Sequence, residues 1–205
     1  MLHCPLNRFS LCILTAGRSQ LSQFELTDLL ADQMLFDLHV LGPIHLARTV
    51  INNWLSKSEK GHLACTSSMF SFITSPGSSA YSASKAAINN YHDAISAELG
   101  SRGISTSIIC PGPIETDILI NAITADANPA NIKPIWMTKI MSVDRCAQLY
   151  ATALASRLRF VWIVNQPFLS LCYMGAYFPS IMRFILPLIM NEQRLKKHIK
   201  GQFSQ

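Results

Sequence analysis

The spacing of apolar and polar positions changes several times along the chain, and each change predicts an element. Leu11–Leu14 is a short apolar run closed by Thr15-Ala16-Gly17-Arg18, which predicts a strand running into a loop. From Leu26 to Trp54, the apolar residues Leu35, Leu38, Leu41, Ile44, Ala47 and Ile51 recur at the spacing of one helix face. Pro43 follows Gly42 and is expected to bend or divide that helix. Lys57–Gly61 is a polar turn, and His62–Thr66 reads as a second short strand. Ser67–Ser79 holds six serines with Pro76 and Gly77, a loop composition.

Ala80–Gly100 is rich in alanine and stops at glycine, so it predicts a helix. Ile104–Cys110 alternates apolar and small polar residues and predicts a strand, ended by Pro111-Gly112-Pro113. Residues 119–141 have no clear period and contain Pro129 and Pro134, as a lid would. Ser142 is placed to cap a helix running to about Arg157. Phe160–Val164 is the last expected strand. Strands alternating with helices imply an α/β fold with a parallel sheet. The chain divides into a partial sheet domain, 1–165, and an apolar C-terminal segment with a basic tail, 166–205.

Composition adds a second theme. Of the 205 residues, 49% are hydrophobic and only 14% are charged, against roughly 25% charged in an ordinary soluble domain. Disorder, a collagenous repeat and a nucleic-acid-binding arm are excluded. The net charge is +5. Five of the 17 lysines and arginines fall in the last 23 residues: Arg183, Arg194, Lys196, Lys197 and Lys200. Residues 160–182 before them carry no charge. Pro167 and Pro179 interrupt that span, which favours an element lying on a membrane over a helix crossing it. Aromatic residues Phe168, Tyr173, Tyr177 and Phe178 would sit at the interface. The six cysteines are widely spaced among apolar neighbours, as free thiols would be, and no metal-ligand spacing is present.

The chemistry concentrates in three stretches. Tyr81 and Lys85 are four apart near the start of a helix and so share one face. A nearby ammonium is expected to favour the phenolate and lower the tyrosine pKa. A tyrosine so tuned can give or take a proton at an alcohol or carbonyl. Ser68 lies thirteen residues before Tyr81, at the end of a strand where α/β sheets place ligands. Pro111-Gly112-Pro113-Ile114 and Thr116 follow the next strand.

Taken together, these residues resemble the short-chain dehydrogenase/reductase family. Ser68, Tyr81 and Lys85 match its catalytic serine, tyrosine and lysine. Pro111, Gly112, Ile114 and Thr116 match its motif beside the nicotinamide, and Ala16-Gly17 matches the end of its Asn-Asn-Ala-Gly segment. The C-terminal run from Val161 to Pro179 is similar to a membrane-associated group of that family. The resemblance implies a doubly wound, Rossmann-like parallel sheet. It implies hydride transfer between NAD(P) and a lipophilic alcohol or ketone. Tyr81 would be the acid/base, Lys85 its electrostatic support and a ligand of the nicotinamide ribose, and Ser68 the substrate polariser. NADP or NAD is the implied cofactor, with NADP the first choice. Ala16, Gly17, Tyr81, Lys85, Pro111, Gly112, Ile114 and Thr116 would line its site. A dimer, a membrane surface and the endoplasmic reticulum are also implied; nucleic acid is not.

Three departures from the family pattern stand out. No Gly-rich phosphate-binding fingerprint occurs, so the sheet is expected to lack its first three strands and Leu11–Leu14 to become an edge. Leu14-Thr15 stands where the family has two asparagines, and His39 stands where it has a catalytic asparagine. The alternative expectation is therefore a catalytically impaired, truncated relative that acts by dimerisation or membrane association.

Overall fold

The computed structural model describes residues 9–128 and 140–189. Lys196 and the rest of the basic tail beyond Arg183, and the middle of the expected lid, lie outside the described residues. Four parallel strands form one sheet in the order β1 (Leu11–Leu14), β2 (Gly61–Thr66), β3 (Ile104–Pro111) and β4 (Phe160–Ile163). Register is continuous: Leu14 pairs with Cys65, Cys65 with Ile108, and Ile109 with Val161.

The helices are α1 (Leu29–Phe36), α2 (Gly42–Ser56), α3 (Ser79–Leu99), α4 (Val143–Ala155), α5 (Phe168–Tyr177) and α6 (Pro179–Ile189). They cover both sheet faces. Ile44, Ala47, Val50, Ile51 and Trp54 of α2 and Ile88 of α3 pack with Leu63, Cys65, Ile108 and Cys110. Ile109 and Ile163 point the other way, onto Cys146 and Ala153 of α4. A strand buried on both faces needs apolar residues in succession, as Ile108-Ile109-Cys110 has.

The long helical run predicted across Pro43 is divided as expected. Pro43 is near the start of α2 and has no N–H to offer the carbonyl of His39 four residues earlier. The backbone widens there into a π-type turn, Asp37–Leu41, with the Gly42 N–H bonded to the Asp37 carbonyl. Such widened turns often mark functional positions, and this one buries His39. By length and composition alone, Leu29–Ser56 is apolar enough to cross a membrane. Its α2 part buries the sheet-covering face just described, and its α1 part buries Ala31 and Leu35 against Ala80 and Ile123.

One expectation changes. Residues 119–128 are not free of the body: Ile123 exchanges backbone hydrogen bonds with Ser19 and Leu21, and Ala122 and Ile123 are buried. As Pro167 and Pro179 predict, the uncharged span 160–182 is not one membrane-crossing helix. It comprises β4, α5 and the start of α6. Cys172 and Met182 anchor this C-terminal unit on Met69, Ile73 and Val164. Cys12, Cys65, Cys110, Cys146 and Cys172 are free thiols. Strand β1 lies at the sheet edge with Leu11 and Ile13 each 41% exposed, as the missing-strand expectation requires.

Candidate active site

The carboxyl ends of β1, β2 and β3 meet the first turns of α3 around a cavity of about 230 Å³. Ligands in open parallel sheets bind at that edge. Gly17, Ser68, Tyr81, Lys85, Pro111, Gly112, Ile114 and Thr116 all line it. Ala16 does not. Its side lines a separate hollow of about 360 Å³ beside Leu38, Gly42 and Leu46. A larger groove, about 570 Å³, runs between α3 and α6, but no ionisable side chain lines it.

Helix α3 supplies the ionisable side chains of the cavity wall. Tyr81, Ser84, Lys85, Ile88 and His92 recur at helical spacing and are all buried. The α3 backbone thus carries Tyr81 and Lys85 inward one turn apart. Lys85 Nζ donates to the Thr66 carbonyl at 2.9 Å and lies 5.9 Å from the centre of the Tyr81 ring. Burial pulls its pKa down to about 8. Ser68 is the last residue before a short turn, and its Oγ accepts the Phe70 N–H at 3.2 Å.

The tyrosine pKa runs opposite to the sequence expectation. Burial raises it, while a hydrogen bond from Ser68 pulls it partly back. Desolvation of the phenolate outweighs the Ser68 bond, and Lys85, whose ammonium is given to the Thr66 carbonyl, does not reverse the balance. The resting phenol is therefore firmly protonated, which suits a proton donor.

Sequence reasoning missed how the loop after β1 enters the site. Gly17 brings backbone against side chains from two different elements: a methyl added there would meet His39 Nε2 of the π-type turn and Lys85 Nζ of α3, each at 3.4 Å. Gly112 is tighter still, since an added methyl would stand 2.8 Å from Val164 Cγ1. Gln20, three residues on from Gly17, is almost fully buried and bonds the N–H of Tyr81. A glutamine in a loop carries no sequence signal for such a role.

The parallel sheet, the ligand edge and the Ser68, Tyr81 and Lys85 grouping define the class: the fold of NAD(P)-binding oxidoreductases. The chain belongs to the short-chain dehydrogenase family, whose pattern, described as short chain dehydrogenase, matches residues 6–127. Within it the chain resembles the member 7 group. It is 29% identical to human "Dehydrogenase/reductase SDR family member 7" over 174 residues, covering 84% of this chain and 51% of the relative. It is 27% identical to "Dehydrogenase/reductase SDR family member 7B" of Xenopus tropicalis over 190 residues, 92% of this chain and 61% of the relative. The chain thus spans about half the length of the human relative. Among solved structures, a Burkholderia cenocepacia short-chain dehydrogenase in complex with NADP superposes with TM-score 0.73 at 19% identity, over 89% of this chain and 70% of that one. A Streptomyces avermitilis short-chain dehydrogenase gives 0.69 at 23% identity, over 88% and 68%. These comparisons favour an oxidoreductase fold over a chain that acts only by pairing or membrane contact.

Proposed function

We propose that this chain carries the catalytic half of an oxidoreductase that moves a hydride between NAD(P) and a lipophilic alcohol or ketone. The observation that supports it is the convergence of Ser68, Tyr81 and Lys85 on one cavity. Met69, Phe70, Ile118 and Leu119 line the same cavity and suit an apolar substrate body.

The residues fit the nicotinamide end of such a cofactor. Gly17 and Gly112 leave backbone bare at the cavity wall, and Lys85 has two N–H groups beyond the one given to Thr66. Lys85 would hold the ribose hydroxyls, and Pro111, Gly112, Ile114 and Thr116 would flank the ring. When bound, the cofactor supplies or accepts the hydride. In the reducing direction, Ser68 Oγ holds the substrate carbonyl oxygen. The Tyr81 hydroxyl gives that oxygen its proton as charge develops there. The Lys85 ammonium stabilises the phenolate left behind. Oxidation of an alcohol runs the same proton path backwards.

The Gly-rich fingerprint that cradles a pyrophosphate does not occur in these 205 residues. Titration of the purified protein with NADPH and NADH should give saturable binding at up to millimolar concentration, with NADPH tried first. Absence of any saturable nucleotide binding would overturn the assignment for this chain.

We also propose that the α5–α6 face rests on a lipid surface, with the endoplasmic reticulum as the membrane on the strength of the member 7 likeness. Tyr177, Phe178, Ile181, Phe184 and Leu188 are each at least half exposed. They border a span with no charge, followed in the sequence by Arg183, Arg194, Lys196, Lys197 and Lys200. Apolar groups beside basic ones fit an anionic bilayer interface. Binding to phosphatidylcholine vesicles containing phosphatidylserine should fall by roughly tenfold or more in a Tyr177→Ser/Phe184→Ser variant, since each buried aromatic contributes about 1.5–3 kcal/mol. Vesicle sedimentation unchanged by the double substitution would remove this surface.

A further inference from the structure

We propose that Gln20 and His39 are positioning residues that clamp the backbone of Tyr81 from both sides, with the His39 ring fixed as its neutral Nδ1–H tautomer. The link to catalysis rests on the oxidoreductase assignment above; the state of the ring does not.

Tyr81 is the third residue of α3, so its N–H has no acceptor within the helix. Gln20 Oε1 accepts it at 3.1 Å. The Gln20 side chain is held in turn: its Nε2 donates to Ser22 Oγ at 3.1 Å. The Gln20 carbonyl accepts the Ser78 hydroxyl at 3.0 Å, just before α3 begins. Gln20 is only 1% exposed, so these bonds form without competing water.

On the other side, the Ser84 hydroxyl donates to the Tyr81 carbonyl at 2.9 Å. A serine has one proton to give. Ser84 Oγ must therefore accept from its other neighbour, His39 Nδ1, at 2.8 Å. That places the ring proton on Nδ1 and leaves Nε2 an acceptor. The Arg18 backbone N–H donates to it at 3.1 Å. The two bonds agree on one tautomer. They also exclude a charged ring, because a proton on Nε2 would face the Arg18 N–H.

The surroundings act the same way. Helix α3 turns Lys85 and the edge of Tyr81 toward the ring, the loop after β1 offers Arg18, and the π-type turn itself carries Asp37. Burial first, and Lys85 next, push the His39 pKa down to about 3. With both nitrogens committed, His39 has no lone pair or proton left for a relay water. It ties the Gly17–Gln20 loop, which borders the cavity, to the helix that carries Tyr81 and Lys85.

The test uses the full chain with ¹⁵N-labelled histidine. His39, assigned by its loss in His39→Asn, should show a protonated Nδ1 and a bare Nε2 that do not change between about pH 5 and pH 8. A ring that titrates in that window, or carries its proton on Nε2, would overturn the tautomer and the clamp. A second readout is the Tyr81 ring resonance in tyrosine-labelled protein. Gln20→Met and His39→Leu should each shift it. His39→Asn, which keeps one donor and one acceptor, should restore it toward wild type. Variants that melt cooperatively yet leave the Tyr81 resonance unmoved would refute the clamp. Where turnover is measurable, Gln20→Met and His39→Leu should lower kcat by roughly tenfold, with KM changed much less. If the unaltered chain shows no turnover, the oxidoreductase assignment fails while the ring and tyrosine spectra still decide the clamp.

Discussion

Tyr81→Phe is expected to lower nucleotide-dependent turnover by roughly two to four orders of magnitude, the usual contribution of a positioned general acid. The substitution keeps the ring, which is 6% exposed and meets Phe70 and His39 edge-on. It also keeps both backbone bonds of the residue, to Gln20 and Ser84. Only the hydroxyl goes. Its partner Ser68 retains a second bond, from the Phe70 N–H, so the unfolding midpoint should move little. The loss should therefore appear in kcat with nucleotide binding preserved. The pH profile of the unaltered protein carries a sign as well. Lys85 helps in its protonated form, and its pKa is pushed down to about 8. Turnover in the reducing direction should be flat below that pH and fall as pH rises through it. A Tyr81→Phe protein with wild-type turnover would remove Tyr81 as the acid.

Where the sequence spoke clearly, it did so through local composition and its stops. Leu11–Leu14 and Ala80–Gly100 are recovered within a residue or two, because a short apolar run closed by a loop marks a buried strand and an alanine-rich stretch stopped by glycine marks a helix. The grouping of Ser68, Tyr81 and Lys85 on one cavity was legible because Tyr81 and Lys85 share a helix face and Ser68 sits where a strand ends. What was not legible depends on long-range contact. The Tyr81 pKa was expected to fall and instead rises, because burial is set by the whole fold and not by the neighbour four residues on. Ala16 adjoins Gly17 in sequence but faces a different hollow, since side chains in an extended segment alternate. Gln20 bonds a partner 61 residues away. The expected lid is pinned at Ile123 by β1-loop carbonyl and amide groups that no local pattern announces. Cofactor chemistry was readable at one end only, where this chain supplies the residues.

The largest stability effect is expected at Trp54. Its side chain is fully buried under the sheet, and Nε1 donates to the Phe9 carbonyl at 2.7 Å. That bond fixes the chain as it enters edge strand β1, while the Phe9 ring packs against the indole at 5.5 Å. Trp54→Ala should cost about 3–5 kcal/mol, the usual range for a buried aromatic, and be read as a lower urea midpoint. The neighbouring strand explains why the site is demanding. A methyl added at Gly61 would lie 2.1 Å from Trp54 Cε3, so the indole occupies the space a side chain would need. Gly61→Ala alone should therefore destabilise by overpacking, by about 1–3 kcal/mol. In the Trp54→Ala background the obstructing ring is gone, and the same Gly61→Ala change should cost much less or help fill the cavity. The four proteins form a double-mutant cycle, and direct contact predicts a coupling of about 0.5–3 kcal/mol. Equal costs of Gly61→Ala in both backgrounds would show that the indole does not sit over Gly61. The anchoring of the edge strand through Trp54 would then need another explanation.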